Sequence, residues 1–329
     1  MTNLIKFIRG FTAVIMAVLW LVSALLVGNF LADTAPLEDD CKLFFATISD
    51  IHMTTETARR DMLGFGLQDM QDSDRRLDAL VLTGDLTDHG YIEQWEMLEE
   101  AFSNYDPADR ILLAQGNHDT WTEDEGYDLA EKYFREYAEK IGGQAIEHEY
   151  YSTTVNGYTF IFLASQTDST RAYMSDEQLN WLEAEMEKAA ENDGPIFVVC
   201  HWPLNRTHGL PITWAEDDMQ SDDGGIGEQS ARVEAILKQY KNVFMISGHI
   251  HNGLANEKDM WRTGYVSVEH DDSFHSINLP SYMYVTSRGR IANGTGLNFE
   301  VYDDQVVIRG RSYSAGVWYT NYVWEIPLV

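Results

Sequence analysis

Short apolar runs alternate with polar and amphipathic stretches along most of the chain, a pattern typical of an α/β fold. The runs are rich in Val, Ile, Leu and Phe and lack a polar face, as expected of strands buried on both sides. Five runs end directly before polar residues: Phe44–Ile48, Ala79–Thr83, Ile111–Ala114, Ile196–Cys200 and Val243–Ser247. We therefore predict buried strands whose carboxyl ends hold the functional side chains.

The residues that follow these five runs are of the types that bind metal ions. In chain order they are Asp50, His52, Asp85, Asn117, His118, Asp119, His201, His249 and His251. Ligands of α/β folds bind beyond the carboxyl ends of the strands, so these side chains are expected to converge. Buried polar groups need partners, and a mixture of imidazole and carboxylate suits zinc, manganese or iron. The pattern predicts a pair of divalent cations.

The stretches between the runs show helical spacing. The range 90–103 places Trp95, Leu98 and Phe102 on one face. Ser175-Asp176-Glu177-Gln178 matches a capping box that opens a helix, and 228–240 is also predicted to be helical. Further strands are predicted over 158–164, 282–285, 296–302 and 306–311, with Asp303-Asp304 as a hairpin turn.

The ordered motifs resemble those of the calcineurin-like metallophosphoesterase family. They read Asp50-x-His52, Gly84-Asp85, Gly116-Asn117-His118-Asp119, His201 and Gly248-His249-x-His251, in the family's order. The segment Gln178-Leu179-Asn180-Trp181-Leu182 is similar to a helix of the cyclic-nucleotide phosphodiesterase-type branch. The resemblance implies a four-layer α/β/β/α sandwich, which we assign to residues 36–329.

The same resemblance implies a role for each motif residue. One ion is expected at Asp50, His52 and His251, and the other at Asn117, His201 and His249, with Asp85 bridging the two. A hydroxide between the ions would attack phosphorus in line. His118 would stabilise developing charge or protonate the leaving oxygen, and Asp119 would orient His118.

The sequence departs from family patterns at two positions. Asp88 stands where purple acid phosphatases carry a metal-bound Tyr, which disfavours a ferric-tyrosinate centre. Trp202 replaces the second residue of the family's His-His-Pro, while the expected ligand His201 is kept. We interpret His89 as a loop residue.

Two long stretches interrupt the strand–helix pattern. The range 205–227 contains His208 and Trp214 and is expected to lie over the metal site and influence substrate choice; the alternative is a disordered surface insertion. The range 252–280 is interpreted as a second insertion, with Trp261, His270 and His275 and no assigned role.

The N-terminal residues 1–35 are expected to form a hydrophobic helix that acts as a signal-anchor or signal peptide. Phe11–Leu31 has no charged residue and approaches the length of a membrane span. Lys6 and Arg9 precede it and acidic residues follow it, which places the catalytic domain outside the cytoplasm. We favour an uncleaved anchor because a signal-peptidase site is poor; cleavage would give a secreted protein.

Charge and cysteine content indicate which partners and which covalent links to expect. The 329 residues include 23 basic and 53 acidic side chains, a formal charge of −30, so nucleic acid is not an expected partner. Cys41 precedes the first strand and Cys200 ends a later one, so parallel strands would place them at opposite ends of the sheet as unpaired thiols.

These observations favour a dinuclear phosphoesterase that hydrolyses a phosphodiester or a small phosphomonoester. One alternative is a pyrophosphatase that acts on a nucleotide or lipid-linked substrate. A second alternative, from another class, is a non-catalytic metal-binding surface protein. The presence of His118 and Asp119 beside the predicted ligands favours catalysis.

Overall fold

A computed structural model describes residues 31–32, 40–122, 126–167, 170–215, 224–271, 274–283 and 294–329. The strands are β1 (Leu31–Ala32), β2 (Leu43–Ile48), β3 (Ala79–Thr83), β4 (Ile111–Ala114), β5 (Tyr151–Val155), β6 (Tyr158–Leu163), β7 (Ile196–Cys200), β8 (Val243–Ser247), β9 (Val268–His270), β10 (Phe274–Asn278), β11 (Thr295–Val301), β12 (Gln305–Ser312) and β13 (Val317–Pro327). The helices are α1 (Thr57–Gln71), α2 (Ile92–Ser103), α3 (Tyr127–Gly142), α4 (Asp176–Ala189), α5 (Ile212–Ala215), α6 (Ser230–Leu237) and α7 (Met260–Thr263), with a 3₁₀ turn at His118–Thr120.

The strands form two mixed sheets. The first has the order β1-β13-β12-β11-β2-β3-β4, and the second has the order β5-β6-β7-β8-β10-β9. Within the first sheet β2, β3 and β4 run parallel, and within the second β6, β7, β8 and β10 run parallel. The strands that carry the predicted ligands are therefore the parallel ones, at the centre or on one flank of each sheet.

The two sheets face each other across an apolar core. Phe45 of β2 stacks on Phe299 of β11 at 4.6 Å and meets the edge of Phe197 of β7 at 4.9 Å between ring centroids. Helices α1–α3 cover the outer face of the first sheet, and α4 and α6 cover that of the second. This four-layer order confirms the predicted α/β/β/α sandwich.

Most predicted elements are confirmed to within two residues, but two interpretations are wrong. Of the strand predicted over 282–285, the first two residues lie in no strand and 284–285 lie outside the described residues; Ser281 forms only an isolated bridge with Ser49. The range 252–280 is not merely an insertion, because it supplies β9 and β10, and β10 extends the second sheet beside β8. The prediction also omitted β5 and β13. Their patterns are mixed because each borders solvent on one face.

The two cysteines are buried and unpaired, as predicted. The prediction that the two cysteines lie at opposite ends of one sheet is wrong, because they belong to different sheets. Cys41 precedes β2 of the first sheet, and Cys200 ends β7 of the second.

The predicted N-terminal anchor lies outside the described residues except for Leu31–Ala32, which pair with β13. Within the described ranges, no helix combines the length and the apolarity needed to cross a bilayer.

Candidate metal centre

Side chains from five strand ends meet where the carboxyl ends of the two sheets come together. Four predicted ligands, Asp50, His52, Asp85 and His251, have ligand atoms within 4.8 Å of one another, and so do Asp85, His201 and His249. The Nε2 atoms of His52 and His251 are 3.0 Å apart. Asp85 belongs to both groups, so it lies where a residue shared by two cations must lie.

The backbone at this centre is unusual. In the described part of the chain nine non-glycine residues have positive φ, and five of them are predicted ligands with φ between 45° and 71°. These five are Asp50, His52, Asp85, His249 and His251. L-residues rarely adopt this left-handed region, and such strain persists only where the surrounding structure enforces it. The concentration at one place indicates a functional constraint on the backbone.

Two glycines allow the motif loops to approach closely. A Cβ atom at Gly116 would overlap the backbone nitrogen and Oδ1 of Asp85, and Gly116 donates its own N–H to Asp119 at 2.9 Å. A Cβ at Gly84 would lie 2.5 Å from Nδ1 of His201. The glycines therefore bring β3, β4 and β7 to the separation that the centre requires.

Several donor atoms at the centre fit a metal ion. Within the described residues, Asp50 Oδ2, Asn117 Oδ1 and His249 Nε2 are buried without a hydrogen-bond partner. Leaving such atoms unpaired costs about 1–3 kcal/mol each, which a coordinated cation would offset. The donor set of imidazoles, carboxylates and one amide suits borderline divalent ions. The residues present fit two divalent cations.

In the centre the buried carboxylates lie beside histidines, and each kind of group changes the pKa of the other. Burial opposes ionisation of Asp85, but His201, at 3.1 Å, and His52 hold the pKa of the Asp85 carboxyl well below its usual value. Burial alone would lower the pKa of His201, but Asp85 and Asp50 raise it to about 9. The carboxylates therefore attract cationic partners, as a metal site does.

His118 is oriented by a residue that the sequence did not indicate. Its Nδ1 lies 2.7 Å from the backbone oxygen of Asp88, and its backbone N–H donates to Asp85 Oδ1 at 2.9 Å. The Asp88 carboxylate lies 3.4 Å from Nδ1 of His52. Asp88 thus contacts both a predicted ligand and the predicted acid.

Asp119 has a different environment from the expected one. Its carboxylate accepts hydrogen bonds from Thr87 N at 2.8 Å, Thr87 Oγ1 at 2.9 Å and Gly116 N, and not from the His118 ring. Burial and the nearby Asp85 raise the pKa of Asp119 to about 7. Asp119 therefore links the loops after β3 and β4, and it positions His118 only through the backbone.

Two tryptophans border the centre. The Trp121 ring is 3.9 Å from that of His118, and Trp214 stacks on His249 at 4.5 Å with an interplanar angle of 20°. The described part of 205–227 therefore lies against the centre, as predicted, whereas 216–223 lies outside the described residues. Trp202, which replaces a family histidine, is buried and donates its indole N–H to Thr170 O at 2.7 Å.

Sequence inspection missed the contacts of Asp88, Thr87 and Trp121. The only signal was position, since the first two follow Asp85 within three residues and Trp121 follows the Gly116–Asp119 motif. Conversely, His89 lies at the rim, where its Nδ1 is 3.1 Å from Asp88 Oδ2 and its ring stacks on Tyr91.

Comparisons with known proteins agree with this geometry. Residues 45–253 match the family model described as calcineurin-like phosphoesterase. A 3′,5′-cyclic-nucleotide phosphodiesterase of Nostoc is 24% identical over 68% of this chain and 76% of its own. A probable cyclic nucleotide phosphodiesterase of Rhodococcus erythropolis is 26% identical over 64% of this chain and 65%, less than two thirds, of its own.

The fold has counterparts among solved structures. A dimetal phosphatase from Danio rerio superposes with a TM-score of 0.61 at 14% identity, covering 88% of this chain and 100% of that chain. At this identity the similarity concerns the fold alone.

Proposed function

Since the chain belongs to the calcineurin-like phosphoesterase family and is a metal-dependent phosphoric ester hydrolase, we propose that it uses two divalent cations to hydrolyse a phosphodiester or small phosphomonoester. The observation that carries the proposal is the convergence of ligand atoms from four strand ends, those of β2, β3, β7 and β8, in two groups that share Asp85 and whose atoms lie within 4.8 Å of one another. The names of the two curated relatives support a diester substrate.

Each predicted ligand has a place in this scheme. Asp50, His52 and His251 would hold one cation, and Asn117, His201 and His249 the other, while Asp85 faces both groups. When bound, two such cations lower the pKa of water and neutralise the charge of a phosphate group. The sheets contribute unequally: Asp50, His52, Asp85 and Asn117 come from the first and the three remaining histidines from the second.

His118 would accept and donate a proton at Nε2. The short contact with the Asp88 carbonyl requires a proton on Nδ1, so Nε2 is the atom free to gain or release one. Burial lowers the pKa of His118, partly countered by Asp85. A bound phosphate adds negative charge beside the ring, which favours the protonated form and transfer to the leaving oxygen.

Trp121 and Trp214 would contact the organic part of the substrate. Trp121 packs against His118, the residue proposed to protonate the leaving group, and Trp214 covers His249 while 38% of its surface remains exposed. An exposed indole beside a phosphate site favours an apolar or aromatic substituent on the ester. This supports an ester that carries a nucleotide-like or aryl group.

A substrate panel tests the proposal. The full chain would be assayed with Mn²⁺, Zn²⁺ or Fe²⁺ on a cyclic nucleotide, bis(p-nitrophenyl) phosphate, a phosphomonoester and a nucleotide pyrophosphate. We expect the diesters to have the highest kcat/KM and the Asp85→Asn variant to have none. Two bound ions with no turnover of any ester would contradict the proposal and favour the metal-binding surface protein.

A further inference from the structure

Two histidines face each other at the outer edge of the second sheet, away from the candidate metal centre. His270 of β9 and His275 of β10 are direct partners across an antiparallel pair. Their Nδ1 atoms are 2.9 Å apart and their ring planes are nearly perpendicular, at 78°. His270 is exposed and His275 is half-buried beside Phe244.

This pair is separate from the predicted ligands. Phe244, which lies beside His275 in register, is the second residue of β8, whereas His249 follows the end of that strand. Three residues of strand from Phe244 to Ser247 already span roughly 10 Å. The two histidines therefore do not belong to the dinuclear centre.

The separation of the two nitrogens fits a shared cation. Zinc binds imidazole nitrogen at about 2.0–2.1 Å, so two ligands at an angle near 90° have nitrogens about 2.9 Å apart, and a tetrahedral angle gives about 3.4 Å. In the candidate metal centre His52 and His251 approach to 3.0 Å between their Nε2 atoms. His270 and His275 thus have the separation that this chain uses for its predicted ligands.

The protonation state of the pair also suits a ligand. Two Nδ1 atoms at 2.9 Å cannot both carry protons, so at least one ring presents a lone pair to the other. Burial, with a contribution from His270, lowers the pKa of His275 to about 4. His275 is therefore neutral at physiological pH, the form that binds metals.

We propose that His270 and His275 form a surface site for a late first-row transition ion such as Zn²⁺, Ni²⁺ or Cu²⁺. Two imidazoles without a carboxylate select these ions over Mg²⁺, Ca²⁺ and Mn²⁺. Among the described residues no third histidine, cysteine or carboxylate completes the group, and in the proposed site water would fill the remaining positions. The bound ion would link the edge strand β9 to β10.

Metal counting after dialysis tests this site. The wild-type chain and the variants His270→Gln, His275→Gln and His148→Gln would be equilibrated with Zn²⁺, and the zinc per chain measured by elemental analysis. His148 is the matched control, since it is exposed and contacts only Tyr150 among the aromatic rings. We expect each β9–β10 variant to hold one ion fewer than wild type and the control variant to hold the same number.

A second readout separates this site from the dinuclear centre. With Mn²⁺ bound, phosphoesterase activity of His270→Gln should equal that of wild type, while its retention on immobilised Ni²⁺ should fall to the level of unrelated acidic proteins. His270 is exposed, so its replacement keeps the fold. Equal zinc content and equal retention in wild type and His270→Gln would overturn the proposal and leave a hydrogen-bonded pair only.

Discussion

At the residue scale, Asp85 is the side chain through which the two ligand groups meet. Its Oδ2 lies 3.1 Å from His201 Nε2 and 3.7 Å from His52 Nε2, and its Oδ1 accepts the backbone N–H of His118. One carboxylate thus contacts both predicted cation sites and the predicted acid. Removing the charge of Asp85 should weaken metal binding strongly and change proton transfer by His118 to a smaller extent.

Asp85→Asn should reduce bound metal from two ions to one or none per chain. The amide keeps the shape of the side chain but loses the charge that two cations share. Elemental analysis after dialysis against Mn²⁺ measures this, with Asp106→Asn as a control because its side chain is 77% exposed. Full occupancy of both sites in Asp85→Asn would show that this residue does not bridge.

His118→Ala should keep both ions but lower kcat for a phosphodiester by about 10²- to 10⁴-fold, the usual contribution of general acid–base catalysis. The ring contacts the backbone of Asp88 and packs on Trp121; it forms a third group of ligand-type side chains with His52 and Asp88, but it lies outside the two groups that share Asp85. Metal content and kcat should be measured on the same sample. A rate within a factor of about ten of wild type would contradict the proposed role.

At the element scale, two segments outside the motif loops shape the surface of the molecule. The segment that includes α5 places Trp214 on His249, and Gly209 approaches Gly264 after α7 so closely that a Cβ would lie 2.6 Å from its oxygen. The pair β9–β10 extends the second sheet. We propose that the first segment contributes to substrate recognition, and we expect the second to contribute to stability.

Trp214→Ala should lower kcat/KM for a cyclic nucleotide by roughly 2- to 12-fold, the value of an aromatic contact of about 0.5–1.5 kcal/mol. A diester without an aromatic group, such as glycerophosphoethanolamine, should be affected less. Trp261→Ala is the control, because that indole is 84% exposed on α7. An equal loss for both substrates would point to disturbance of His249 and not to substrate contact.

Stability should fall as the pH decreases from about 7 toward about 4 in a way that depends on His275. Its pKa is about 4 in the folded chain and about 6.5 when unfolded, so between these values the unfolded state binds the extra proton and is favoured. The other titratable side chains nearby are the His270 imidazole and the Lys238–Asp271 ion pair.

Urea unfolding with EDTA at pH 7.5 and pH 5 measures this loss, which should be smaller in His275→Asn than in wild type. EDTA is included so that no metal at His270 and His275 masks the titration. The same pH dependence in both proteins would assign the loss to other groups.

At the scale of the whole molecule, the metal centre is a junction between the two sheets. The centre contains the buried carboxylates Asp50 and Asp85 from the first sheet beside histidines from the second. Without cations the two carboxylates repel, and both burial and the charge of Asp85 oppose the lowering of the Asp50 pKa by His251 and His201. Bound cations should therefore stabilise the whole fold.

Removing metal should lower the melting temperature. A ligand at about 100 times its Kd stabilises by about 2.7 kcal/mol, which corresponds to a shift of roughly 4–5 °C in a domain of this size. Calorimetry of the EDTA-dialysed chain, before and after addition of Mn²⁺, measures the shift. Asp85→Asn should show a smaller shift, and an unchanged melting temperature in wild type would mean that the centre does not hold metal tightly.

Much of the fold and of the site could be predicted, because it depends on residues that are neighbours in the sequence. The buried strands appear as apolar runs, and the ligands follow them directly, because a strand and the loop after it are adjacent in the chain. The prediction omitted β5 and β13 because half-exposed strands have mixed patterns, and it missed the role of β10 because its partner β8 is distant in the sequence.

The sequence by itself determined which residues stand at the strand ends and the order in which they come. Only the tertiary structure decided which groups touch: that the Asp88 carbonyl and not the Asp119 carboxylate contacts the His118 ring, that Trp214 covers His249, and that His270 faces His275. Such contacts depend on loop backbone and on the register between strands, which are set by packing across the whole molecule and not by neighbouring residues.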